Sequence, residues 1–109
     1  MKLPNAERAV VDVLKLREYC LSLSHPRGRH KARVFATVLG ITADAEILQD
    51  ALLSAARTCE TTLAESDEYG QRYVLDFPME CFGKSASIRS GWIIRSGEDF
   101  PRLTSCFVR

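Results

Sequence analysis

From Val13 onward the chain mixes apolar and charged residues with a helical rhythm. Leu14, Leu16, Cys20 and Leu21 crowd one side and Lys15, Arg17 and Glu18 the other, which predicts a helix from Val13 to Leu21 with Asp12 as its N-cap. Ala9-Val10-Val11 before it reads as a short extended stretch, and Ser22, Ser24, Pro26 and Gly28 make Leu23 to Gly28 a loop. A second helix is predicted from Arg29 to Leu39, with Ala32, Phe35, Val38 and Leu39 at helical spacing and Gly40 as the residue that ends it. A third follows a cap at Thr42. Ile47, Leu48, Ala51, Leu52, Ala55 and Ala56 give it the broad apolar stripe of a central core helix.

Beyond Cys59 the period shortens. Thr61 to Glu65 is a moderate strand, Ser66 to Gly70 a turn, and Gln71 to Phe77 a second strand that Pro78 is expected to end. Ser85 to Arg95, with Ile88, Trp92, Ile93 and Ile94, is the strongest strand signal, and Gly91 within it marks a bulge or a close backbone approach. Turn chemistry at Ser96-Gly97-Glu98-Asp99 leads to a last strand, Leu103 to Val108, paired as a hairpin with the one before. Helices first and strands after imply an α+β fold: N-terminal helices packed on one face of a roughly four-stranded antiparallel sheet. With 109 residues there is enough chain for one core and too little for two, so residues 1–109 form a single domain.

Composition removes several classes of function. No run approaches the roughly 20 apolar residues of a bilayer span, and the first residues lack a signal-peptide core, so the expectation is a cytoplasmic protein without a membrane partner. Cys20, Cys59, Cys81 and Cys106 form no Cys-x-x-Cys pair. They read as free thiols, with no metal site and no cofactor.

The net charge of +1 conceals segregation: residues 1–43 carry a net +5, residues 44–80 a net −7 and residues 81–109 a net +3. Brought together, the two basic ends would make an anion-binding face. The sharpest feature lies between His25 and Arg33, where His25, Arg27, Arg29, His30, Lys31 and Arg33 fall within nine residues across a helix start. Cations there oppose the helix dipole, so something negative should offset them: a bound phosphate or carboxylate, acids such as Asp67 or Glu68, or solvent alone. His25 and His30 are the candidates for acid–base chemistry near neutral pH, and Arg27, Arg29 and Lys31 for phosphate binding. Arg102 and Thr104 alternate on the last strand and point to one face, where they either bind phosphate or form its solvated side. Tyr69 and Arg72, with Tyr73, are candidates for stacking on RNA bases, against the plainer reading of a packed turn.

Four runs carry a resemblance over nearly the whole chain: Leu3-Pro4-Asn5-Ala6-Glu7; His25-Pro26-x-Gly28-Arg29-x-Lys31-Ala32-x-x-Phe35; Tyr69-Gly70-x-Arg72-Tyr73; and Trp92-Ile93-Ile94 with Pro101-Arg102-Leu103-Thr104. Together they resemble a bacterial domain family whose function is not established. More loosely, the helices-then-sheet order, basic helix start and terminal Pro-Arg-Leu-Thr strand are similar to the barnase, EndoU, colicin and RelE group of ribonuclease toxins. That resemblance implies a metal-independent endoribonuclease, in which His25 or His30 activates the RNA 2′-hydroxyl while Arg29, Lys31 and Arg102, assisted by Thr104, stabilise the phosphorane. It also implies RNA and a cognate inhibitor as partners. The other readings are a non-catalytic module of binding, immunity or adaptor type, whose acidic segment meets a protein partner, and a small-molecule enzyme that uses the anion site.

Overall fold

A computed structural model describes residues 1–109 as three helices and one four-stranded sheet. The first helix, α1, is Val13–Lys15 continued by a π-helical turn, Leu16–Cys20. Asp12 caps it as the sequence requires, its carboxylate accepting from the Leu14 N–H at 2.9 Å. Helix α2 is Arg29–Val34 continued by π-helical Phe35–Leu39, and it ends on Gly40, whose φ of 71° is the left-handed conformation that suits glycine. Helix α3, Ala45–Thr58, begins after Asp44 and not at the expected Thr42 cap, and no side chain caps it. Leu48, Leu52, Ala55 and Ala56 bury its stripe, while Ile47 stays exposed.

The strands β1 (Thr62–Asp67), β2 (Gly70–Cys81), β3 (Lys84–Arg95) and β4 (Arg102–Val108) form an antiparallel meander in that spatial order. Strand β2 therefore runs through Pro78 and does not stop before it. Val10 lies beside Arg102, and the backbones of Val10, Pro101 and Leu103 exchange hydrogen bonds, so the N-terminal segment shields part of the β4 edge. At Gly91 the β3–β4 register shifts, as the bulge reading expects, whereas the neighbour that crowds the glycine is the Thr104 side chain, 2.8 Å from where a Cβ would stand, and not a backbone.

Alternation sorts the sheet into two faces. Tyr73, Leu75, Phe77, Met79, Ile88, Trp92, Leu103 and Cys106 are buried with Leu16, Phe35, Leu39, Leu48 and Leu52 from the helices. Two polar groups within this core are satisfied in series: Trp92 Nε1–H donates to Ser90 Oγ at 2.9 Å, and Ser90 Oγ–H donates to the Leu75 carbonyl at 2.8 Å.

On the other face Arg89 clamps Asp76, directly opposite it across β2 and β3, with bonds of 2.9 and 3.0 Å, and Arg109 adds a third at 2.9 Å. The Arg89 hydrogen bond, reinforced by both guanidinium charges, holds the Asp76 carboxyl below its ordinary range. A carboxyl depressed in the folded state stabilises the fold above its unfolded pKa, and that contribution disappears as pH falls through the folded value. Asp76→Asn should therefore cost about 1–2 kcal/mol in urea unfolding at neutral pH. The deficit relative to wild type should shrink on acidification, and a gap independent of pH would remove the ion cluster as its cause.

Candidate functional site

The geometry around the basic segment starts with its loop. Pro26 stands at the first position of the turn that leads into α2, where its missing N–H costs nothing. His25 just before it behaves as a helix cap: its Nδ1 accepts from the N–H groups of Arg27 and Gly28 at 3.0 and 3.1 Å, and its carbonyl accepts from Arg29 N–H at 2.9 Å. The ring packs edge-on against Tyr19, with centroids 4.6 Å apart. Gly28 completes the motif, because a Cβ there would lie 2.2 Å from the Tyr19 carbonyl oxygen. His-Pro-x-Gly is thus a structural clasp joining α2 to the end of α1, and Nδ1 of His25 is occupied by the backbone.

His30 has no such commitment. It is exposed, as are Arg27, Arg29 and Arg33. Residues three and four apart on a helix lie about 5–6 Å from each other at Cβ, so Arg27, His30, Lys31, Arg33 and Arg29 form one continuous patch. None of them pairs with a carboxylate. The acids that the sequence set against them do not reach them: Asp67 binds Arg72, and Glu68 pairs with none of these bases. Lys31 alone leans inward, half-buried, with Nζ 5.1 Å from the Phe107 ring centroid on β4. Helix α2 packs against β4, but the bases of the C-terminal strands do not join the patch: Arg102 holds Glu98, and Arg89 and Arg109 hold Asp76.

Beneath Lys31 lies a feature with no sequence signal. Cys20 at the end of α1 and Cys106 on β4, 86 residues apart, are both fully buried and close enough for each thiol to act on the other. Their mutual interaction, with burial, pushes the Cys106 thiol well up, while the same interaction, helped by the charges of Lys15 and Lys31, draws Cys20 down to about 7. Nothing along the chain foretells this meeting of α1 and β4.

The remaining candidates stand apart. Arg102 and Arg72 flank Ile93 from either side in the sheet register, and five residues of β4, about 17 Å, separate Arg102 from Phe107. Each holds an acid: Arg102 grips Glu98 through two bonds of 2.9 Å and stacks 4.8 Å from the Phe100 centroid, and Arg72 lies 3.4 Å from Asp67. Tyr69 is 65% exposed in the β1–β2 turn. Thr104 sits over Gly91, between the two groups. Arg33, which the sequence placed in the basic run without a role, joins the patch instead. No cluster of His, Cys, Asp or Glu is arranged to hold a metal ion, and no helix is long and apolar enough to cross a membrane.

Helices over one face of an antiparallel meander, with a cationic surface at one helix start that no carboxylate neutralises, define a small α+β domain. The chain belongs to the DUF6883 family, described as a domain of unknown function, which matches residues 2–109. Among solved structures it is similar to a chain from a contact-dependent growth inhibition toxin–immunity protein complex of Klebsiella pneumoniae 342. The TM-score is 0.70 at 16% identity, over 92% of this chain and 99% of the other, a likeness of fold. No curated protein matches the sequence.

Proposed function

We propose that this domain is a metal-independent, ribonuclease-like toxin or RNA-processing domain that takes RNA on the basic start of α2. The observation that carries the reading is the run of exposed bases from Arg27 to Arg33 that no carboxylate neutralises, beside an exposed histidine without a structural partner. In the proposed reaction His30 accepts the proton of a ribose 2′-hydroxyl. The 2′-oxygen then bonds to the adjacent phosphorus, the bond to the 5′-oxygen breaks, and solvent returns a proton to that oxygen. Arg29, Arg33, Arg27 and Lys31 balance the charge on the phosphorane. His25 positions the loop. Arg102 and Thr104 would contribute only if Arg102 exchanged Glu98 for phosphate, and Tyr69 and Arg72 are where a splayed base could stack. Fold similarity to a chain from a toxin–immunity complex is compatible with either side of such a pair; in the toxin reading a cognate inhibitor is the second partner.

The test is cleavage of a labelled RNA oligonucleotide by purified protein in EDTA. The expected products end in cyclic phosphate, and RNA affinity should fall steeply with salt, the slope dropping by about 2 in Arg29→Ala/Arg33→Ala. One observation favours a second reading, a protein-binding module of immunity or adaptor type: Arg72 and Arg102 hold Asp67 and Glu98, where a nuclease would leave them free. RNA left intact by wild-type protein, with tolerated expression in the host, is the result that selects it.

A further inference from the structure

The edge of β2 that faces away from β3 is only half covered. Strand β1 pairs with β2 from Gly70 to Val74 and no further, so Asp76 to Cys81 has no neighbour on that side. The next hairpin fixes which backbone groups this leaves open. Phe82 and Gly83 both have positive φ, 52° and 76°, as in a two-residue type I′ turn, which makes Cys81 and Lys84 a hydrogen-bonded pair. Every second residue then repeats the pattern: Cys81, Met79, Phe77 and Leu75 turn their backbone groups to β3, while Asp76, Pro78 and Glu80 turn theirs outward. None of these three makes a backbone hydrogen bond outside the strand pairings. The arrangement explains Pro78, whose absent N–H falls on the open side where no ladder needs it.

Beside this edge runs a groove of about 390 Å³ between α3 and β2, with Ile47, Ala51 and Ala55 on one wall and Phe77 and Met79 on the other. An exposed edge next to an apolar groove is the arrangement that accepts an added strand: backbone bonds supply affinity and alternate side chains enter the groove.

We propose that β2 from Asp76 to Cys81 receives an extended segment of a partner protein in which apolar residues alternate with Lys or Arg. Charge selects this occupant. Residues 44–80 carry a net −7, and Glu80 on the edge itself is exposed and without an ion pair. Asp76 is already held by Arg89 and Arg109, so Glu80 is the carboxylate left to choose: it points to the face opposite Phe77 and Met79, and a strand that sends apolar side chains into the groove sets an alternate residue against it. The surface is at the far side of the sheet from β4 and α2, so it is independent of the proposed RNA site.

The probe is a fluorescent heptapeptide alternating Val and Lys, with a Val/Glu peptide as control, titrated by anisotropy against the full chain. Wild type should bind the basic peptide and not the acidic one, and the amides of Asp76 and Glu80 should gain protection from hydrogen exchange. Glu80→Pro, which removes an outward N–H as Pro78 already does, should weaken binding at least about tenfold. Glu80→Lys, which keeps the backbone donors, should reverse the preference between the peptides, and His30→Ala should leave the binding of both peptides as it is. The proposal is overturned if wild type fails to bind the basic peptide, if Glu80→Pro binds it equally well, or if wild type is a dimer that Glu80→Pro dissociates.

Discussion

His30→Ala is expected to lower single-turnover RNA cleavage by about 10²–10⁴-fold while leaving thermal stability unchanged. The two halves of that expectation come from the same observation. His30 is exposed and holds no partner, so its removal subtracts a proton acceptor and no packing. His25→Ala should give the opposite profile. Its Nδ1 satisfies two N–H groups at the entry to α2, and losing such a cap costs about 1 kcal/mol. Cleavage should fall only as far as the loop that carries Arg27 and Arg29 loosens. Measuring cleavage and urea unfolding on both variants separates a residue that moves a proton from one that positions the chain. If His25→Ala abolishes cleavage in a fully folded protein while His30→Ala is silent, the roles are reversed.

The contrast between the two histidines also shows where sequence reasoning reaches and where it ends. The apolar stripes of α2 and, apart from the exposed Ile47, of α3, the Asp12 cap, Gly40 and the strand β3 are local patterns, each enforced by neighbours a few residues away, and they lie where the pattern puts them. Pro78 misled because a proline ends a strand only if its N–H side must pair, and which side of β2 is covered is a property of the sheet. The His25 clasp had a signal, a side chain able to accept hydrogen bonds placed before a Pro that opens the turn into α2, but the same residues also spell a basic loop. For Arg72 and Arg102 the deciding facts are their partners: Asp67 and Glu98 lie five and four residues away, close enough to guess and not to know. Cys20 and Cys106 meet across 86 residues, a contact only the packed fold creates.

The largest stability effect is expected in the core, at Trp92. Trp92→Ala removes one of the largest fully buried side chains and should cost about 3–5 kcal/mol, a large part of the 5–15 kcal/mol that holds a domain of this size together. Part of that loss is polar, and it can be isolated. Ser90→Ala deletes little volume, yet it leaves the indole N–H without its acceptor and takes one donor from the Leu75 carbonyl in a site closed to water, at a cost of about 1–3 kcal/mol. In Trp92→Phe the N–H is already gone, so adding Ser90→Ala should cost distinctly less than Ser90→Ala alone. Urea unfolding of the two singles and the double closes the cycle. Coupling between the substitutions means that the Trp92–Ser90–Leu75 chain acts as a unit, fixing the register of β3 on β2 at the centre of the sheet. Strict additivity would mean that Trp92 contributes through bulk alone and that the register rests on the backbone ladder.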